Sequence, residues 1–521
     1  MKSSRTEITL WNRIWQAAVR DPEKPIISDF QQVWTWRSLL WRAQGYAEAL
    51  RSFSVNSAET PIVPILVDRT GETVAAILGA LISGRGFSPL SPQQPSSRLA
   101  HCFSSLNAQS VIFLGTVEER QKSEQAFPNL RHMIPVPQSI ESGLPSQPME
   151  PDSNQLFYVL FTSGSTGVPK GVVADYGNIE NTLLWSIDML DWYPMDVIGC
   201  ATNFFFDISM FDVLTTLYFD IPLAIFSNPS DVTQVVAETA TFRVTSIFAV
   251  PTFFSQLLRN GIINDSRLTG LRRIIAGGDF FPPAHVLRWM ESLPAVDIFN
   301  VWGPTETSIV NTMHKIGHLD IQPLREGRPA PVGKAHSRMQ FRLIDKSSKI
   351  LYEPNQRGEI CMLGACVTRG YIGDSEKTNQ AYIELEGHRA FRTQDLGYVD
   401  DVGNLFIVGR IGSTVKVAGY RIDLGEVETA AVSLPGIHLA CGFVFDVGES
   451  HQELWLALEP KEMNRALDIF LIKKNLRAIL PAYMVPKRII IIDMLPRNAN
   501  AKIDRKAVKE IVSHKARDSE E

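Results

Sequence analysis

The run Leu156-Phe-Tyr-Val-Leu-Phe-Thr-Ser-Gly-Ser-Thr-Gly-Val-Pro-Lys-Gly-Val172 constrains this chain more than any other stretch. Leu156 to Phe161 are apolar, aromatic or β-branched and read as one buried strand. The strand then gives way at once to hydroxyls and glycines: Thr162, Ser163, Gly164, Ser165, Thr166 and Gly167. Without a Cβ, glycine lets the backbone come close to a bound group and aim its N–H donors one way. The hydroxyls add donors suited to phosphate oxygens, Pro169 stiffens the exit and Lys170 adds a positive charge. The order Pro-Lys-Gly excludes a Walker A loop, which needs Gly-Lys followed by Ser or Thr. A Ser/Gly-rich loop alone could be a linker. The strand before it and the basic turn after it argue for a polyphosphate-binding loop.

A chain of 521 residues exceeds one ordinary core and divides into domains. Strands and helices alternate to about residue 330, which implies α/β layers. From Gly333 to Val408 strand follows strand, as in a small β subdomain. From Gly409 the chain begins again as a smaller α+β unit. Within this frame Leu10 to Ala18 reads as a helix, Ile26 to Trp36 as two strands and Glu72 to Ser83 as a helix. Gly425 to Ser433 and 464–479 read as helices, Ile489 to Ile492 as a strand, and Ser513 to Glu521 as a frayed end. The expected fold class is therefore α/β. A large N-terminal domain, residues 1–408, holds layered α/β subdomains and the β subdomain; a small α+β C-terminal domain, residues 409–521, follows.

With a net charge of −5 and no basic run, nothing points to a nucleic-acid surface. No apolar run approaches the roughly 18 residues of a membrane span. Five scattered cysteines, with neither a Cys-x-x-Cys nor a zinc spacing, read as reduced thiols of a cytoplasmic protein. The histidines form no transition-metal cluster.

The phosphate-loop pattern resembles that of the adenylate-forming superfamily: acyl- and aryl-CoA synthetases, luciferases and the adenylation domains of nonribosomal peptide synthetases. Further motifs in the same order carry the resemblance along nearly the whole chain. Asn300-Val-Trp-Gly-Pro-Thr-Glu-Thr307 matches a motif whose Thr, here Thr305, contacts the α-phosphate. Its Glu, here Glu306, holds Mg²⁺, and its aromatic, here Trp302, stacks on adenine. Phe391-Arg-Thr-Gln-Asp-Leu-Gly397 places Asp395 on the ribose hydroxyls. Gln394 stands where glycine is usual, so a turn with positive φ would be strained there. Gly409 to Glu428 resembles the hinge and following hairpin. It implies a mobile C-terminal domain with its hinge near Gly412, where Asp or Lys is usual. Arg410 is then a nucleotide contact, and Lys416 and Gly419 belong to the thioester-forming state. Asn498-Ala-Asn-Ala-Lys-Ile-Asp-Arg505 implies that Lys502 reaches the substrate carboxylate and α-phosphate. Ala501 replaces a glycine of that motif.

Phe204-Phe-Phe-Asp-Ile-Ser-Met-Phe-Asp212 resembles the element by which amino-acid-activating members hold the substrate amine. A buried carboxylate is costly unless paired, and an α-ammonium is the natural partner for Asp207. An Asp at this position can also cap a helix. The resemblance places further substrate-pocket positions at Ile208, Phe211, Phe248, Ile274, Ala276, Val301, Ile309 and Val310. All are apolar, several bulky, which implies a small or medium apolar side chain; several could instead be ordinary core.

The reading is an amino acid adenylation enzyme of the nonribosomal peptide type. It uses ATP and Mg²⁺ to form aminoacyl-AMP and pyrophosphate, then loads the phosphopantetheine thiol of a separate carrier protein. The chain beyond Lys502 is too short for a carrier domain, so the expectation is a free-standing or excised adenylation domain. A CoA ligase for an acid without an amine, or a non-catalytic protein on the same scaffold, are the alternatives.

Overall fold

Tryptophans at helical spacing open the chain. Leu10, Trp11, Ile14, Trp15 and Ala18 bury along the helix Leu10–Arg20, whose first turn is capped by Thr9. The computed structural model describes residues 9–52, 61–115, 127, 130, 132–137, 143–162, 169–259, 262–336, 338–411, 414–447, 452–461, 467–496 and 503–517. The two short strands expected next are present as an antiparallel pair, Pro25–Ser28 with Val33–Thr35. The helix Trp36–Ser52 behind them is absent from the sequence reading, although Trp36, Leu39, Leu40, Ala43, Tyr46, Ala47 and Leu50 bury one face.

The chain packs as two compact units. One comprises Met1–Pro92, Phe103–Phe161 and Gly171–Gly409; the other comprises Gln93–Cys102, Thr162–Lys170 and Arg410–Glu521. The second thus gathers two short segments that the sequence reading places within the N-terminal domain.

In the first unit a nine-stranded sheet has at its centre Leu223–Ile225, Ile198–Cys200, Ser246–Ala249, Arg273–Gly277 and Asp297–Trp302, in that spatial order. These five run parallel, and helices cover both faces. Burial on both sides explains their nearly unbroken apolar sequences. Because side chains alternate along a strand, each strand serves two cores. Phe248, Ile275, Phe299 and Val301 face one, together with the helix Asp207–Phe219. Ile247, Ile274, Ala276 and Ile298 face the other, against Val235, Phe254, Leu257 and Trp289. A seven-stranded sheet holds Leu156–Thr162 between Lys170–Asp175 and Gly86–Leu90. The β subdomain is a six-stranded sheet in which Met339–Ile344, Gly358–Gly364 and His388–Val399 pair antiparallel.

In the second unit the hairpin Thr414–Val417/Tyr420–Asp423 leads into the helix Leu424–Val432. A three-stranded sheet of Ile437–Asp446, Gln452–Pro460 and Arg488–Ile491 follows, with the helix Ile469–Ile479. One expectation at the chain end is corrected: Arg505–Arg517 is helical, so the helix takes in the start of the stretch read as frayed. Val508 and Val512, one turn apart, bury against Phe443 and Trp455, and that apolar pair holds it.

Candidate active site

The strand Asp297–Trp302 ends in Gly303-Pro304, and a short 3₁₀ turn, Thr305–Thr307, follows. Gly303 is required by close approach: a Cβ there would lie 2.4 Å from the Ile309 carbonyl oxygen. Just past the turn the backbone is strained. Ser308 and Ile309 adopt φ of 62° and 75°, and for a β-branched residue such as Ile309 that region is an outlier. Buried hydrogen bonds hold the strain in place. Thr182 Oγ1 donates to the Ser308 carbonyl at 2.9 Å, and Ser308 Oγ donates to the Cys366 carbonyl at 2.9 Å. Strain fixed by its surroundings is a mark of functional loops.

This loop gathers residues from distant motifs. Thr305 Oγ1 donates to Asp207 Oδ2 at 2.6 Å. Asp207 opens the helix Asp207–Phe219, but Phe206 occupies the N-cap position and no side chain caps it. The Asp207 carboxylate serves Thr305 instead, and it is half-buried rather than sunk in the core. The approach to this helix is fixed by Arg69. Its guanidinium donates to the carbonyls of Cys200 (2.9 Å), Thr202 (3.1 Å) and Phe226 (2.8 Å) and to Asn203 Oδ1 (3.0 Å).

Trp302 Nε1 donates to Asp395 Oδ2 at 3.0 Å, joining two motifs 93 positions apart. Both residues are 4% exposed, and a carboxylate keeps acceptor capacity beyond one such bond. The Asp395 N–H donates to Thr393 Oγ1 at 3.0 Å. Gln394 takes φ of 61°, the positive value expected of the glycine it replaces, and its N–H reaches Glu359 Oε1 at 3.2 Å. The strand is irregular here, its pairing with Gly358–Gly364 shifting between Glu359 and Cys361.

Glu306 is fully buried, and the Tyr371 hydroxyl donates to its Oε1 at 2.9 Å. Among the described residues no three His, Cys, Asp or Glu side chains gather into a metal cage. A single hard carboxylate fits Mg²⁺, which takes one or two protein oxygens and completes its shell with phosphate and water.

The pocket positions divide between the two cores. Ile208, Phe211, Phe248, Val301, Ile309 and Val310 share one, with the Phe211 and Phe248 rings edge to face at 5.4 Å. Ile274 and Ala276 point into the other core, on the far side of the sheet. The strand's period of two instead puts Ile275 and Gly277 on the side that carries Phe248 and Val301. A Cβ on Gly277 would sit 2.5 Å from Val301 Cγ2 and 3.2 Å from the Phe248 ring, so glycine lets those side chains close in.

Ser163, Gly164, Ser165, Thr166, Gly167, Gly412, Ala501 and Lys502 lie outside the described residues. The loop's two ends are placed: Thr162 closes one strand, Lys170 opens its neighbour, and Thr162 Oγ1 lies 3.5 Å from the Lys170 carbonyl oxygen. Half-buried Arg410 ends the strand Leu405–Arg410. Lys416 pairs across the hairpin with Arg421, and Ala418 and Gly419 make its two-residue turn with φ of 51° and 81°.

Two tyrosines near these carboxylates were not singled out from sequence. Tyr371 lies 65 positions from Glu306, and no local pattern announces the contact. Tyr158 sits inside the organising strand, fully buried, its hydroxyl without a partner among the described residues. Burial, and then the Asp207 charge, push its phenol above the usual range. A phenol inside an apolar strand was the available signal, since a buried hydroxyl calls for a partner.

The chain is similar to known proteins along most of its length. The family model for AMP-binding enzymes matches residues 14–372. Tyrocidine synthase 3 of Brevibacillus parabrevis is 29% identical over 500 residues, covering 94% of this chain and 7% of that protein. This chain thus spans only a small part of that relative's length. The L-proline--[L-prolyl-carrier protein] ligase of Streptomyces coelicolor (strain ATCC BAA-471 / A3(2) / M145) is 30% identical over 484 residues, 88% of each chain. The Vibrio cholerae adenylation domain AlmE, solved with glycyl-adenosine-5'-phosphate, shares the fold with a TM-score of 0.84. It covers 97% of this chain and 98% of its own at 20% identity.

Proposed function

Because this chain belongs to the AMP-binding enzyme family of adenylate-forming ligases, we propose that it activates an amino acid with ATP and passes it to a carrier protein. The observation that carries this reading is the half-buried Asp207 carboxylate, held at a helix start beside Thr305 with Phe211 and Phe248 in the apolar core alongside. A carboxylate there suits an α-ammonium, and an apolar wall suits a small or medium apolar side chain.

In this reading the amino acid carboxylate attacks the α-phosphorus and pyrophosphate leaves. Thr305 donates to the α-phosphate, and Asp395 accepts from the ribose beside Trp302. Glu306 would hold Mg²⁺, which supplies positive charge to the phosphates when bound. Ser163 to Gly167 and Lys170 cradle the polyphosphate. Lys502 neutralises charge at the reacting centre, where such stabilisation dominates catalysis. Arg410, Lys416 and Gly419 serve the nucleotide and the later thioester step from the 409–521 segment, with its hinge near Gly412. The acceptor is the phosphopantetheine thiol of a separate carrier protein, the kind of partner named for the Streptomyces ligase. All five cysteines are free and buried, which suits the reducing cytoplasm. Among the described residues no helix is long and apolar enough to cross a membrane.

One observation favours a second reading. Asp207 already has a donor in Thr305, so an acid without an amine would not leave it bare. Amino-acid-dependent ATP–pyrophosphate exchange across the standard amino acids, several β-amino acids and simple carboxylic acids separates the two. Strong exchange with one apolar amino acid is expected. Exchange only with amine-free acids, together with turnover of free CoA, would replace this reading with a CoA ligase.

A further inference from the structure

The bond between Thr305 and Asp207 poses a problem of proton supply. A threonine hydroxyl has a single O–H, whereas carboxylate and phosphate oxygens only accept. Here that proton is committed to Asp207 Oδ2 at 2.6 Å. It cannot at the same time serve a phosphate. Both residues are half-buried and open to incoming ligands, unlike Glu306 beside them. Thr305 belongs to the strained turn after the strand Asp297–Trp302, and Asp207 to the first turn of its own helix, 98 positions away. Rotation about the Thr305 Cα–Cβ bond re-aims the hydroxyl without any backbone movement.

An α-ammonium carries only donors. Placed on Asp207, it supplies the hydrogen bond that Thr305 now gives and frees the Thr305 proton for the α-phosphate. We infer that Thr305 and Asp207 form a ligand-exchanged hydrogen bond that makes amino acid and ATP bind synergistically. The inference rests on the amino-acid-activating reading above. No bond is made or broken covalently; one donor replaces another at Asp207. The exchange also selects against acids without an amine. Such an acid can reach the apolar wall but cannot release Thr305, so the α-phosphate stays without that donor. Linkage makes the effect reciprocal: ATP tightens the amino acid by the same factor as the amino acid tightens ATP.

The test is calorimetric titration of the full chain with its exchange-active amino acid, alone and with saturating α,β-methylene-ATP. In the wild type the analogue should tighten the amino acid about tenfold, within the range usual for coupled sites. Thr305→Val, which keeps the shape and removes the hydroxyl, should bring the factor close to one, and Thr305→Ser should restore it. The same side chain presented as an amine-free acid should show no coupling in the wild type. A coupling factor that survives in Thr305→Val, or one near unity in the wild type, overturns the inference and leaves the function standing. If the wild type supports exchange with no amino acid at all, the functional reading itself has failed. Should Thr305→Val not fold, the amine-free acid on the wild type still decides the matter.

Discussion

Asp207 and Asp212 lie on one helix, five residues apart, and the protein treats them in opposite ways. Asp207 is half-buried in the first turn, beside the helix's positive end, with the Thr305 hydroxyl on its carboxylate. Asp212 is 1% exposed, and its Oδ2 has no hydrogen-bond partner among the described residues. Burial pushes the Asp212 carboxyl well above its usual range, against smaller opposing effects of the Cys200 thiol and the Arg69 charge. One carboxyl thus keeps an open edge and a hydroxyl donor, and the other is sunk in the interior, where burial makes it hold its proton more tightly. The residue type decides neither role; the neighbours do.

Removing each carboxyl breaks the contrast most directly. Asp207→Ala should lower kcat/KM for the amino acid about 100-fold or more in pyrophosphate exchange, the loss of roughly 3 kcal/mol that follows from deleting one side of a charge pair. ATP-analogue binding without amino acid should not weaken and should tighten by up to about tenfold, because the Thr305 hydroxyl is released from Asp207. An equally large loss in analogue binding would mean that Asp207 holds the nucleotide region together rather than the amine.

A second buried carboxylate, Asp395, extends the contrast to the nucleotide. Trp302→Phe keeps an aromatic ring and removes the N–H given to Asp395. The KM for ATP should rise about tenfold, as expected when a buried charged acceptor loses a donor. An unchanged KM would remove that bond from nucleotide recognition.

Phe248→Ala opens the edge-to-face contact with Phe211. The preference measured by kcat/KM should move toward larger apolar side chains by about tenfold, the scale on which hydrophobic pockets discriminate. If selectivity does not move, Phe248 is plain core and the pocket lies elsewhere.

Asp212→Asn should do least to activity, staying within about twofold of wild type in exchange, as a residue away from the chemistry should. Its signature is pH-dependent stability. The folded chain holds the Asp212 proton more tightly than the unfolded chain does. That contribution is complete at and below the ordinary carboxylate range and is lost as pH rises through the raised folded value. Thermal unfolding followed from acid to neutral pH should therefore show a fall in the wild type that Asp212→Asn flattens. Parallel curves would show that Asp212 is ionised in the fold.

The layered α/β architecture and the strand before the phosphate loop were legible because buried strands write themselves as apolar runs with turn formers after them. The helix Arg505–Arg517 was hidden because only Val508 and Val512 among its described residues are buried, within a charged sequence. The motif positions Asp207, Thr305, Glu306 and Asp395 stand out in the sequence, and the structure joins Thr305 to Asp207 and Trp302 to Asp395. The partner of Glu306 does not stand out. Tyr371 reaches Glu306 from a strand in the other sheet, and nothing local encodes that meeting. Ile274 and Ala276 show the cost of carrying positions across by spacing alone: on a strand buried on both faces, a shift of one residue exchanges the core that holds Phe211 and Phe248 for the opposite one. Both faces are apolar, so the sequence offers no hydrophobic alternation to fix the register.

The central claim is that Asp207 makes this an enzyme for amines. The most direct measurement is pyrophosphate exchange with a matched pair of substrates, the best apolar amino acid and the same acid without its amine, in the wild type and in Asp207→Ala. The account predicts that the wild type prefers the amino acid by about 100-fold and that Asp207→Ala loses that preference. Equal exchange with both acids in the wild type, or a preference that survives in Asp207→Ala, would contradict it.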